Sequence, residues 1–141
     1  MTEFKYGEIT EKIIGAAFRV HNTLECGFQE VIYQRTLAIE LRLLGLDFIR
    51  EFEMPIYYLD QHIGGRRVDF FIGNKISVEL KAIVKLDDTS MAQAINYLEA
   101  YNLEIGMLIN FGSKLLEYHR FTNKKYNPAI VHHPIQSNKS Q

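Results

Sequence analysis

Asp69, Glu79 and Lys81 are the residues of this sequence best spaced to do chemistry together. They lie in VDFFIGNKISVELK, residues 68–81, where Val68, Phe70, Ile72, Ile76, Val78, Leu80 and, just beyond, Ala82 are apolar. The intervening positions carry Arg67, Asp69, Ser77, Glu79 and Lys81. Strand side chains alternate between faces, so the run reads as a hairpin with one core face and one polar face. Opposed residues of a hairpin point the same way, which requires an odd-length loop, most simply Gly73-Asn74-Lys75. That register sets Asp69 opposite Glu79, with Cβ atoms about 5 Å apart. Two like charges so placed repel unless something compensates them. Three sources of compensation are open: a surface network with Lys81 and Arg67, a proton retained by one carboxyl, or a divalent metal. Mg²⁺ is such a metal, a hard cation that takes one or two carboxylates together with phosphate oxygens of a substrate.

Two helical features bear on the same site. Glu30 heads a stripe formed by Tyr33, Leu37, Leu41 and Leu44, and a carboxylate on a core-facing stripe is costly unless paired or ligated. A glutamate in a first helical turn is also favoured by the helix dipole and can simply reach solvent. Gln93 and Tyr97, four residues apart, share a polar stripe on a later helix. They fit equally an ordinary amphipathic boundary.

The elements that must position these groups follow from periodicity. Thr10 can cap a first helix with the stripe Ile13, Ala16, Ala17, Val20 and Leu24. A second helix runs from about Phe28 to Leu44, closed by Gly45. It is apolar on two sides, because Phe28, Ile32, Ile39 and Leu43 form another stripe; such a helix is usually sandwiched, and a homodimer is one way to cover it. Phe48 to Tyr58 reads as a strand, Asp60 to Gly65 as a turn, and Arg66 to Ile72 and Ile76 to Val84 as further strands. A third helix begins at Asp88 or Thr89 and reaches Tyr101, with Met91, Ala94, Leu98 and Tyr101 inward. Ile105 to Phe111 is a short buried strand, and Leu115 to Phe121 another short one. The expected order is ααβββαβ(β), an α/β fold.

Composition bounds the rest. The chain has 141 residues, 47% of them hydrophobic and 23% charged, with 3 Pro and 9 Gly. That is the size of one domain with a core that needs no staples, and it excludes disordered and collagen-like chains. The single cysteine, Cys26, excludes an internal disulfide and a four-cysteine metal or iron–sulfur site. No apolar run approaches the roughly 18 residues of a membrane span, and MTEFKYGEIT lacks a signal peptide's cationic-then-apolar order. A cytoplasmic protein without membrane contact is expected. The net charge of −1 gives no global attraction to nucleic acid. From Gly112 onward, however, Lys114, Arg120, Lys124, Lys125 and Lys139 face Glu117 alone, and residues 126–141 read as a basic, flexible tail after a domain spanning 1–125.

Gly27-Phe28-Gln29-Glu30-Val31-Ile32-Tyr33 matches the signature of the GxxExxY protein family through Gly27, Glu30 and Tyr33. AAFRVHNTLECGFQEVIYQRTLAIELRLLGL resembles that family's N-terminal helical region, RVDFFIGNKISVELKA its metal-site hairpin, AQAINYLEAYNL its Q-x-x-x-Y helix and GMLINFGS its last core strand. The resemblance runs from about Ile9 to Phe121. It implies membership of the PD-(D/E)XK nuclease superfamily, with a restriction-endonuclease-like αβββαβ core, a mixed sheet flanked by helices, and here one extra N-terminal helix. Carried over residue by residue, it makes Asp69, Glu79 and Lys81 catalytic. Glu30, Asp69 and Glu79 become ligands of Mg²⁺ or Mn²⁺, and Gln93 and Tyr97 groups that position the lysine or the substrate backbone. Arg66 and Arg67, just before Asp69, could grip phosphate. The implied partner is nucleic acid, DNA before RNA, and the implied reaction phosphodiester hydrolysis; a catalytically silent binding module on the same fold is the alternative. His21 resembles a family feature but equally a satisfied helix histidine, so no role is assigned to it. At Glu25-Cys26 members often read Gly-Pro, which bears on the break between the first two helices.

Overall fold

The spacing of apolar side chains sets the architecture. The protein is described by a computed structural model over residues 6–129; of the expected tail, residues 130–141 lie outside the described residues. Helix α1 (Gly7–Leu24) buries Ile13, Ala16, Ala17 and Val20. It starts one turn before the expected cap: Thr10 N–H closes the first turn on the Tyr6 carbonyl, and the Thr10 hydroxyl donates to Gly7 O rather than capping the helix. Helix α2 (Glu30–Leu43) buries Tyr33, Leu37 and Leu41 and leaves Ile39 and Leu43 exposed, as is Phe28 just before it, so of the two expected apolar stripes only one is covered among the described residues. It ends as its sequence indicates, with Gly45 at φ +73° and Leu46 N–H returned to Leu41 O.

The turn between α1 and α2 is built around Tyr33. Its ring stacks on Phe111 at 4.8 Å, and its hydroxyl donates to Glu25 O at 2.6 Å while accepting from Phe28 N–H. The chain stays extended through Gln29, at φ −72° and ψ 155°, so α2 begins at Glu30 and not at Phe28. The tyrosine of the signature is thus fully buried and structural in its contacts. Glu25, where the resembling sequences often have glycine, sits at φ 58° and ψ −171°, backbone territory that only glycine occupies without strain.

Five strands form one sheet in the order β1 (Phe48–Tyr58), β2 (Gln61–Ile72), β3 (Ile76–Lys81), β4 (Ile105–Asn110), β5 (Glu117–Thr122). Neighbours are antiparallel except β3 and β4, which are parallel and joined across helix α3 (Asp88–Ala100), capped by the Asp87 side chain. The element order is the expected one. Strand β2 is longer than its sequence indicates, beginning at Gln61, because a two-residue turn at Leu59 and Asp60, both at positive φ, replaces the expected six-residue turn. Strand β3 stops at Lys81, short of the expected Val84.

The main core lies between the sheet and α1–α2, with Phe70, Ile72, Ile76, Val78 and Leu80 on that side. The opposite side packs on α3, where Gly106 lies so close to Leu98 and Ser77 that a Cβ would meet Leu98 Cδ2 at 2.7 Å. Here one expectation is corrected. Val68 does not share a face with Phe70 and Ile72 but joins Phe52, Met54 and Tyr101 in a second cluster. Alternation slips at Glu51, which adopts φ 51°, and at Asp69 across from it, so Phe52 and Met54 after the slip on β1 and Val68 before it on β2 face α3, without a change of register.

Beyond Lys81 the chain is clasped by Asn110, whose buried amide accepts from Ile83 N–H and Gly112 N–H and donates to Ile83 O and Glu117. Gly112 lies flat against this loop; a Cβ there would fall 2.3 Å from Ile83 N and 2.4 Å from Ala82 C, backbone atoms that cannot yield. Gly112→Ala is therefore expected to destabilise the protein by about 1–3 kcal/mol, read as a lower denaturation midpoint. Glu25→Gly is expected to act in the opposite direction, relieving strain for a net gain of about 1 kcal/mol, or roughly 2–4 °C in a calorimetric scan.

Candidate active site

Strands β2 and β3 are paired at Phe71↔Ser77, Ile72↔Ile76 and Phe70↔Val78, the register expected from an odd-length loop. The pairing ends there. The next amide of β3 that needs a partner, Leu80 N–H, is taken by the side chain of Asp69 through Oδ2 at 2.7 Å. Asp69 thus stands where β2 leaves β3, with Glu79 as its neighbour across the fork, close enough for each carboxyl to act on the other's ionisation.

Asp69 is held from the α2 side. Gln34, 5% exposed, donates from Nε2 to Asp69 Oδ1 at 2.8 Å and accepts on Oε1 from Arg50 Nη2 at 2.9 Å. Sequence reasoning missed both. The signal for Gln34 was its position one turn after Glu30 and beside Tyr33, a polar residue on a buried stripe; that for Arg50 was its even spacing from Phe48, which points inward. Glu30 itself is at the first turn of α2, exposed at its surface but close enough for Asp69 and Lys81 to act on it.

Glu79 belongs to the α3 side. It lines a pocket with Val68, Tyr97, Tyr101 and Met107, an apolar wall that offers its carboxylate little solvation. Arg66 pairs with it through Nη2, and the Arg66 guanidinium lies flat on the Tyr97 ring, 3.4 Å from its centroid. The arginine at the carboxylates is therefore Arg66, not Arg67 as the surface network anticipated. Arg66 has the same parity as Val68, so the slip at Asp69 carries it onto the α3 face with Glu79, while Arg67 is left exposed opposite Glu53. Lys81 is half-buried, and among the described residues its ammonium makes no ion pair. Of the Q-x-x-x-Y pair, the structure brings Tyr97 to the site and leaves Gln93 exposed. His21 is buried and bonded to Ser113 O at 2.9 Å, away from these groups.

The electrostatics reflect two carboxyls in a poorly solvated fork. Burial pushes Glu79 up to about 8, against the pull of the Arg66 charge and with added repulsion from Asp69. Burial also raises Asp69, although Leu80 N–H, Gln34 and Arg66 favour its ionised form. Glu30 is raised by burial first and by the Asp69 charge second, with Lys81 opposing. Two of the three open sources of compensation are thus represented together, the Arg66 guanidinium and a Glu79 carboxyl that burial inclines to keep its proton.

The donor set suits the third as well. Asp69 and Glu79 offer hard oxygen ligands on a rigid fork, with Glu30 nearby, and Mg²⁺ or Mn²⁺ asks for one or two such carboxylates and otherwise water or phosphate oxygen. With Arg66 on Glu79, no three His, Cys, Asp or Glu side chains among the described residues gather into a metal-binding group, so Glu30, Asp69 and Glu79 do not stand as a closed ligand triad.

With this geometry in view, comparison with known proteins is specific. The family model described as the PD-(D/E)XK nuclease superfamily matches residues 7–121, and the chain belongs to that superfamily. Among solved structures it is similar to the crystal structure of SSO0001, with a TM-score of 0.51 and 19% identity, over 67% of this chain and 50% of that one. At that identity the likeness concerns the fold, a mixed five-stranded sheet flanked by helices with a helix at the N-terminus. This chain spans half the length of that relative. No curated protein matches it. Divalent metals are used generally in the superfamily, and nucleic acid is its substrate class. No helix among the described residues is long and apolar enough to cross a membrane.

Because the folded protein holds a proton on Glu79 up to about pH 8 that an unfolded glutamate releases near 4.5, the native state binds more protons across that window. Stability attributable to this group therefore falls as pH rises from about 4.5 to 8. Glu79→Gln, assayed in chelator, is expected to raise the melting temperature over wild type near pH 8, with the gain shrinking towards pH 4.5. A gain independent of pH would contradict the shift.

Proposed function

We propose that this protein is a metal-dependent nuclease that hydrolyses phosphodiester bonds, with DNA favoured over RNA as substrate. The observation that carries the reading is the fork at Asp69, which presents Asp69 and Glu79 side by side with Lys81 next on the same strand. Asp69, Glu79 and Glu30 would hold Mg²⁺ or Mn²⁺. When bound, such an ion supplies Lewis-acid polarisation of a phosphoryl oxygen and acidifies a water molecule.

The chain's own residues do the rest. Gln34 and Leu80 N–H fix both oxygens of Asp69, so its remaining lone pairs are aimed without rotameric searching. The Lys81 ammonium, in no ion pair among the described residues, neutralises charge growing on the phosphate oxygens. Arg66 and the exposed Arg67 grip the backbone on either side. Tyr97 supports Arg66. Gln93, exposed on the same helix, contacts the substrate strand. The signature residues Gly27, Glu30 and Tyr33 support placement in the GxxExxY group, residues 1–125 are read as one nuclease-like domain, and a cytoplasmic setting belongs to the same reading. The uncovered stripe of Phe28, Ile39 and Leu43 on α2 favours a homodimer.

A specific observation favours a second reading, a module that binds nucleic acid or a protein without turnover: Arg66 sits on Glu79 and the three carboxyls are not gathered as ligands. Activity separates the two. Purified protein with Mg²⁺ or Mn²⁺ is expected to cleave one or more of single-stranded, duplex or branched DNA. Asp69→Ala, Glu79→Ala and Lys81→Ala should each lower the rate by about a hundredfold or more while keeping the native circular dichroism, Asp69→Ala with a lower melting temperature because Leu80 N–H loses its acceptor. Nucleic-acid binding with no cleavage and no calorimetric metal binding selects the silent module.

A further inference from the structure

Two carboxyls, Asp69 and Glu79, and two cationic side chains, Arg66 and Lys81, lie at the fork, and the cations are not equivalent. The Lys81 ammonium is uncommitted among the described residues, whereas Arg66 is engaged both at an edge and on one face of its guanidinium. Its edge meets Glu79 and its plane meets Tyr97. The side chains of Arg66 and Glu79 are only 20% and 16% exposed, so this is a largely desolvated pair. Arg66 Nε, buried, has no hydrogen-bond partner among the described residues. The arginine thus spends its donors unevenly: one arm is saturated by Glu79, and another points at nothing.

We propose that Arg66 is the resident counter-cation of the Asp69–Glu79 pair, that a divalent ion must displace it to bind, and that the displaced guanidinium, retained on the Tyr97 ring, becomes the clamp for a nucleic-acid phosphate. The inference rests on the nuclease reading and concerns how that same site is regulated.

The physical argument is one of exclusion followed by reuse. A divalent ion needs the Glu79 oxygen that Arg66 now occupies, and two cations in a weakly screened pocket repel. Removing a guanidinium from its carboxylate partner would ordinarily send it to solvent. Here the aromatic face holds it, since a planar, weakly hydrated guanidinium binds a ring face through cation–π attraction. Main-chain pairing of Arg66 with Met54 keeps its backbone in place, so the side chain alone has to move. Once free of Glu79, its parallel N–H groups match two oxygens of a phosphate, a geometry that Lys81 cannot offer. Metal loading and phosphate affinity are then coupled through one side chain: without metal the arginine keeps the carboxylates compensated, and with metal it turns to the substrate.

The test is a calorimetric titration of Mn²⁺ into the full chain in neutral buffer, for wild type, Arg66→Gln and Tyr97→Leu. Arg66→Gln is expected to bind Mn²⁺ about tenfold more tightly than wild type, because a competing unit charge is gone. Tyr97→Leu, which loosens the arginine without removing it, should bind more tightly by a smaller factor, and carries the test if Arg66→Gln does not fold. In parallel, fluorescence anisotropy with labelled duplex DNA should show wild-type affinity rising on addition of Ca²⁺, and the rise should be abolished in Arg66→Gln. Equal or weaker Mn²⁺ binding by both variants overturns the inference while leaving the nuclease reading intact. A Ca²⁺-induced rise in Arg66→Gln as large as in wild type overturns the clamp. Failure of wild type and variants alike to bind Mn²⁺ overturns the nuclease reading, and the inference with it.

Discussion

When β2 turns away from β3 after the Phe70↔Val78 pair, an amide of a central strand loses its backbone acceptor. A buried N–H without a partner costs roughly 1–3 kcal/mol, so the divergence persists only if another acceptor replaces the lost carbonyl. Asp69 Oδ2 does so for Leu80 N–H. The same substitution that permits the strands to part fixes an acid at the point of parting. Everything else at the site is arranged around this exchange: Gln34 takes the other oxygen, Arg50 orients Gln34, and Glu79 is brought beside Asp69 across the opening.

The exchange creates an electrostatic problem as well as a structural solution. An amide hydrogen bond steadies Asp69 in its ionised form, but Glu79 faces an apolar wall on the α3 side and meets no backbone donor among the described residues. The two carboxyls therefore sit in different surroundings, and their protonation is pushed apart. Arg66 reaches the pair only because alternation slips at Asp69 and Glu51, which turns the first half of β2 to the α3 side. The irregularity that disturbs the sheet thus delivers both the acid and its counter-charge. Local strain at positive φ in a strand is tolerated where it builds a site.

Much of this was legible before any coordinates. Strict alternation through residues 68–82 gave the hairpin, and parity of the loop gave its register, because a one-residue shift would have sent Val78 and Leu80 to the polar side. Helix stripes were readable for α1 and for the inner side of α2 because 3.6-residue spacing is enforced by burial. The slip at Asp69 was not legible. Val68 is apolar on either side of the sheet, so its identity says nothing about which core it joins, and with it Arg66 could not be told from Arg67. Gln34 was passed over because amides are common on helix boundaries, and only its 5% exposure sets it apart. The β1–β2 turn was misplaced since Gly64 and Gly65 look like turn residues, whereas Leu59 and Asp60, poor advertisements for positive φ, form it.

The account stands on the fork being a seat for a cation. A crystal of the full chain soaked in Mn²⁺ and measured at the manganese edge answers this directly. The expected result is one anomalous peak between the Asp69 and Glu79 carboxyl oxygens, with the Arg66 guanidinium withdrawn from Glu79 and still against Tyr97. A map with no peak at the fork, Arg66 still paired to Glu79 and manganese found only at surface carboxylates, would contradict it.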